Sequence, residues 1–157
     1  MKRLLFLFSA VLCYAYSVAQ LPNITIKDID GKQVNMRQLS QSGKPMIISF
    51  FASWCKPCMR ELNAINDVYE EWQEEYGVQV VAVSIDRAQD QEKVKPLVDG
   101  NGWNFMVLLD ADNEFKRAMQ VQNIPHVFVV DKNGTIVEQH NGYVDGEESK
   151  LVEKFKN

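Results

Sequence analysis

The chain has 157 residues, 46% hydrophobic and 24% charged, with 17 basic against 21 acidic side chains and a net charge of −4. That balance argues for a globular chain and against a nucleic-acid partner, which needs a basic surface. No internal repeat, low-complexity tract or Pro/Gly/Ser-rich linker divides it, so a single domain is expected.

At the N-terminus, Lys2 and Arg3 precede an apolar stretch from Leu4 to Leu12 and the small residues Ser17 and Ala19. This pattern predicts a cleavable secretory signal over residues 1–19, cut after Ala19. The apolar core is shorter than the roughly 20 residues of a spanning helix, which disfavours the alternative of a retained anchor. Cys13 then reads as an apolar residue that is discarded, because the bulky Leu12 before it suits lipid attachment poorly. Residues 20–157 remain as one domain with 15 basic and 21 acidic residues, a net charge of −6. A chain of that size buries about two-thirds of its unfolded surface.

Ile24 and Ile26 alternate with polar neighbours and lead into "DIDGKQV", where Asp30-Gly31 predicts a small hairpin. "KPMIISFFA" is a continuous apolar run, the signature of a central strand buried on both faces. Beyond Pro57, Leu62, Ile65, Tyr69, Trp72 and Tyr76 step by three and four up to Gly77, one amphipathic helix with its stop. "VQVVAVSID" is the next buried strand. From Asp86 to Asp110 the pattern gives a polar loop, a helix around residues 91–98 interrupted near Pro96, and a strand "FMVLLD". A short helix over residues 114–119 precedes "NIPHVFVVDKNGTIVEQH", two strands joined by a turn at Asn133-Gly134. Residues 147–155 form a closing helix. The expected order is hairpin, βαβ, αβ, α, ββ, α.

After the signal is removed, both remaining cysteines lie in one motif, "WCKPC", at the end of a buried strand and the start of a helix. Ligand and catalytic sites favour that edge of open α/β sheets. A bridge closing so short a loop constrains the unfolded chain little, so reactivity explains the pair better than stapling. Unpaired N–H groups at a helix N-terminus favour a thiolate. Cys55 is therefore the expected nucleophile and Cys58 the resolving thiol, cycling through a Cys55–Cys58 redox-active disulfide. Lys56 either adds to thiolate stabilisation or is solvated at the turn tip. Structural zinc needs about four ligands, and beyond the pair the chain offers only His126 and His140, so no metal site is assigned. A Cu(I) metallochaperone using the two thiolates with one of these histidines is a second reading. A peroxidase of the peroxiredoxin class is a third, which the tight W-C-x-P-C turn fits poorly.

"ASWCKPC" resembles the thioredoxin superfamily. Together with "DIDGKQVNMRQLSQSGKP", "VQVVAVSID", "NGWNFMVLLD" and "NIPHVFVVDKNGTIV", it resembles the extracytoplasmic ResA/TlpA-type thiol-disulfide oxidoreductases over nearly the whole mature chain. The resemblance implies an α/β thioredoxin fold with an N-terminal β-hairpin and a central αβ insertion. It also implies a cis bond at Pro125, which would shape the surface where substrate backbone docks, with Ile124 offering its backbone groups. By the same resemblance Trp54 flanks the site. Glu61, three residues after Cys58 and on the same helical face, matches an acidic residue near the thiols. It either takes the proton from Cys58, given a raised pKa, or is an acidic first-turn residue stabilised by the helix dipole. Ser49 departs from the acidic or amide residue of thioredoxins at that position, so a proton path there would pass to Glu61 or water. His126 after Pro125 also departs from the family's small polar residue; it either tunes the thiolate or, the favoured reading, is a surface side chain.

The expected function is a periplasmic, or otherwise extracytoplasmic, oxidoreductase that reduces protein disulfides without a bound cofactor. Apocytochrome c is one substrate the resemblance suggests, and a membrane thiol electron donor is the implied partner. A dithiol oxidase would use the same residues in reverse.

Overall fold

The protein is described here by a computed structural model covering residues 20–156; residues 1–19, expected to be a secretory signal, and with them Cys13, lie outside the described residues. Strands β1 (Thr25–Asp28) and β2 (Gln33–Asn35) form the N-terminal hairpin. The short helix α1 (Met36–Ser40) follows and leads to β3 (Met46–Phe51). Next come helix α2 (Lys56–Tyr76) and β4 (Gln79–Ser84). A 3-10 segment, Ala88–Lys93, runs into α3 (Val94–Asn101), followed by β5 (Met106–Leu109) and α4 (Glu114–Ala118). Strands β6 (His126–Val130) and β7 (Ile136–Asn141) form a second hairpin, and a 3-10 segment, Glu147–Phe155, closes the chain. No helix among the described residues is long and apolar enough to cross a membrane.

All seven strands join one sheet in the order β2-β1-β5-β4-β3-β6-β7. β3, β4 and β5 are parallel, while β6 runs antiparallel to β3 and β1 antiparallel to β5. The apolar run from Met46 to Phe51 is central because it is buried at every position, as a strand covered on both faces must be. Its alternate residues divide the core. Ile47 and Phe51 face α2, α3 and the closing segment, whereas Ile48 and Phe50 face α1 and α4.

The two hairpins use one device. Asp28 Oδ1 accepts from the N–H groups of Asp30 and Lys32, and Asp131 Oδ1 accepts from those of Asn133 and Thr135. In each the residue after the central polar one is a glycine at positive φ, Gly31 at 87° and Gly134 at 79°, where a Cβ would be strained. The expected fold class therefore stands: a thioredoxin fold with an N-terminal hairpin and a central αβ insertion.

Three details differ from the sequence-based expectation. Helix α1 was not anticipated; it is a single turn capped by Asn35, whose side chain accepts from Gln38 N–H, too short to show a period. The helix expected over residues 91–98 is a 3-10 turn followed by α3, with Pro96 in the first turn of α3. An absent N–H costs nothing there, so the proline marks a start and not a kink. The closing helix is 3-10 in form, with Leu151 and Val152 buried.

Candidate active site

The cysteine turn is built where β3 ends. Phe51 pairs with Ser84 of β4, and β6 runs alongside with His126 opposite Phe50. The peptide between Ile124 and Pro125 is cis, and the buried Pro125 stands one residue before that pairing, next to the end of β3 from which the cysteine turn leaves. Ile124 is half-buried and packs on the core cluster that contains both cysteines. Gly142 N–H, after β7, donates to Pro125 O at 2.9 Å and draws the following loop to the same edge.

Cys55 is the N-cap of α2, in extended backbone, and Pro57 lies within the first turn. The Cys58 N–H donates to Cys55 Sγ at 3.3 Å. An N-cap side chain normally takes one of the unpaired helix N–H groups; here that side chain is the sulfur. Cys55 and Cys58 are joined by a disulfide, so this is the oxidised state. Cys58 is fully buried and Cys55 5% exposed, which makes Cys55 the sulfur that meets solvent first. Trp54 is 71% exposed beside it, a large aromatic on the surface and not in the core. Lys56 is exposed at the turn.

Glu61 lies one turn of α2 beyond Cys58 and is buried, only 3% exposed. Its Oε2 accepts from Ser49 Oγ at 2.6 Å. Both face the same layer because Ser49 shares the side of β3 that carries Ile47 and Phe51 toward α2. Burial raises the Glu61 pKa from 4.5 to about 7, against the opposing pull of the Ser49 hydrogen bond. Desolvation disfavours the charged carboxylate, whereas a hydrogen bond to it favours charge. At neutral pH this carboxyl is poised between its two forms.

A second buried carboxylate was missed by sequence reasoning. Asp86, 1% exposed, accepts from Ser53 N–H (2.9 Å), Ser53 Oγ (2.7 Å) and Ser84 Oγ (2.8 Å). It therefore ties the end of β4 to the residue two before Cys55. The available signal was a polar "SID" closing an otherwise apolar strand, which read only as the start of a loop.

His126 is half-buried, stacked on Phe128 with ring centroids 4.6 Å apart, and its Nε2 lies 3.3 Å from Gln139 Oε1. It is held by β6 and β7 and not loose on the surface. Among the described residues no three His, Cys, Asp or Glu side chains gather as metal ligands, so neither histidine joins the thiols in such a group.

Fold and cysteine pair together define the class: a thiol-disulfide oxidoreductase on a thioredoxin fold. Comparison with known proteins places it further. The AhpC/TSA family matches over residues 18–139, and the chain belongs to that family. The thiol-disulfide oxidoreductase ResA of Bacillus thuringiensis (strain Al Hakam) is 31% identical over 131 residues, covering 83% of this chain and 70% of the relative. The solution structure of a thioredoxin-like protein from Porphyromonas gingivalis is 57% identical, with a TM-score of 0.77 over 88% of this chain and 90% of that one. The crystal structure of StoA from Bacillus subtilis is 25% identical, with a TM-score of 0.67 over 84% and 100%.

Proposed function

We propose that the protein is exported by residues 1–19, acts outside the cytoplasm as residues 20–157, and reduces disulfides in protein substrates. The observation that carries the mechanism is the buried Glu61–Ser49 pair one helical turn from Cys58. The Cys55 thiolate, favoured by the N-terminus of α2, attacks one sulfur of a substrate disulfide. A mixed disulfide forms and the other substrate sulfur leaves as a thiolate. Cys58 then passes its proton to the Glu61 carboxylate and attacks Cys55 Sγ, which releases the second substrate thiolate. The protein ends with the Cys55–Cys58 disulfide, and two electrons have gone to the substrate.

A base works best with a pKa near the operating pH, which the raised value at Glu61 supplies. The exposed Trp54, with Ile124 and Pro125 at the neighbouring start of β6, forms the docking surface, Ile124 through its backbone in the manner of an added strand. No bound cofactor enters these steps. Returning the protein to the dithiol form needs a thiol donor, and in an exported protein that donor sits at the membrane. Apocytochrome c, with two thiols of its own, is the substrate we put first.

The test is the equilibrium reduction potential of the Cys55/Cys58 pair against glutathione or dithiothreitol. A value near or below about −250 mV supports a reductant; one near about −120 mV makes the protein a dithiol oxidase with the same residues in reverse.

A further inference from the structure

Glu61 has one side closed and one side open. Ser49, fully buried in β3, holds its Oε2 from within. On the other side a small cavity of about 20 Å³ is walled by Glu61 together with His140, Tyr143, Glu147 and Glu148. One water needs about 10–15 Å³ and two or more polar partners; Leu151 and Gly142 complete the wall, and the other five lining residues carry polar groups.

A buried carboxyl that takes a proton in each turnover must give it back to solvent. Among the groups on that wall, most already have partners. The Tyr143 hydroxyl donates to Glu148 Oε2 at 2.8 Å, and burial with that carboxylate pushes its pKa up to about 12. Glu148 also accepts from Gly146 N–H, and Glu147 is bound by Lys150 at 2.7 Å, which holds it low. His140 differs. Its Nε2 is buried and lies 3.1 Å from Glu138 Oε1, yet out of line for a hydrogen bond. Its side chain is 35% exposed, so the ring reaches from the cavity to solvent. The charged groups around it are Glu61 across the cavity, Glu138 on its own strand and Glu147 and Glu148 on the closing segment, with Lys154 3.5 Å from Glu138. That surrounding is mostly acidic, which suits a ring carrying a transient positive charge. Imidazole is also the side chain that changes charge near neutral pH.

We propose that His140 is the proton exit for Glu61: a water in the cavity takes the carboxyl proton to the imidazole, which releases it to solvent from the exposed side of the ring, away from the buried Nε2. When the protein is recharged with electrons the same route runs inward. His140 touches neither sulfur, so it is a positioning and relay residue. This inference rests on the reading of Glu61 as the acceptor of the Cys58 proton.

The experiment mixes the purified reduced protein with the aromatic disulfide 5,5′-dithiobis(2-nitrobenzoate) in dilute buffer near neutral pH. Thiolate release then comes in two phases, attack by Cys55 and resolution by Cys58. Near neutral pH part of the population holds Glu61 protonated and must discharge it by this route before the carboxylate can accept from Cys58. We therefore expect His140→Gln to slow the second phase about fivefold, below the roughly hundredfold or greater loss of a direct base, and to leave the first unchanged. In His140→Gly, added imidazole should restore the second phase. An unchanged second phase in His140→Gln overturns the relay. So does slowing of both phases alike, or failure of imidazole to restore the rate, since a packing role would give those results. Glu61→Gln is the separate arm: if it leaves the second phase intact, the acceptor reading itself is wrong, whereas slowing there without slowing in His140→Gln removes the relay alone.

Discussion

Two buried carboxyls flank the cysteine turn, and they differ in company. Asp86 lies at the end of β4 with three donors from Ser53 and Ser84, at 2.7 to 2.9 Å. Glu61 lies on α2 with a single hydroxyl, Ser49. A carboxyl that accepts from several donors is held in place and acts as a fixed tie. A carboxyl with one donor is stabilised too little to stay ionised at ordinary acidity, so its proton becomes available for chemistry. The same residue chemistry thus gives an anchor on one side of Cys55 and a titrating group on the other.

The largest expected effect is on the anchor. Asp86→Ala leaves Ser53 N–H and two serine hydroxyls without their acceptor in a largely water-excluded site. Leaving these donors unsatisfied costs about 4 kcal/mol in all, read as a lowered urea midpoint with an unchanged slope. Because Ser53 precedes Trp54 and Cys55, the Cys55 attack rate should fall as well. Retention of wild-type stability would show that the tie is dispensable.

Glu61 should behave in the opposite sense. Its folded pKa, about 7, stands above the ordinary 4.5, so between these values the folded state binds the proton that the unfolded state has released. Stability is then greatest below about pH 4.5 and falls by about 1.4 kcal/mol per pH unit up to pH 7, a total of about 3 kcal/mol from this group. Glu61→Gln should remove that slope and be the more stable protein at pH 8, while resolution by Cys58 slows about a hundredfold. Urea unfolding from pH 5 to 8 checks the first point and single-turnover kinetics the second. Parallel stability profiles of variant and parent would mean that Glu61 is no titrating group in this range.

The chain pattern disclosed one half of this arrangement. The strand over residues 46–51 and the helix ending at Gly77 were legible because burial imposes a continuous apolar run on one and a 3.6-residue period on the other. The cysteines were legible because their spacing places both at a helix start. What lay hidden are contacts between distant residues. Ser49, twelve positions before Glu61, read as the loss of a proton path, whereas the fold sets its hydroxyl on the Glu61 carboxyl. Asp86 meets Ser53 across 33 residues, and no local pattern reports a partner so far away. Short 3-10 turns escaped for a different reason. Over six or nine residues a period of 3.0 cannot be told from 3.6.

Ser49 gives the finest test of the comparison, since it is the one donor that moderates Glu61. Ser49→Ala takes away a hydrogen bond that favours the charged form, and the burial that opposes charge remains. The Glu61 pKa should therefore rise further, which moves the midpoint of the pH–rate profile for resolution upward by about one pH unit. The stability loss should be about 1 kcal/mol and greatest at high pH, where the carboxylate most needs the donor. At low pH the protonated carboxyl has less use for that donor, and parent and variant should converge. A midpoint that moves downward, or a stability loss independent of pH, would mean that the hydroxyl supports the packing of β3 against α2 and not the charge of Glu61.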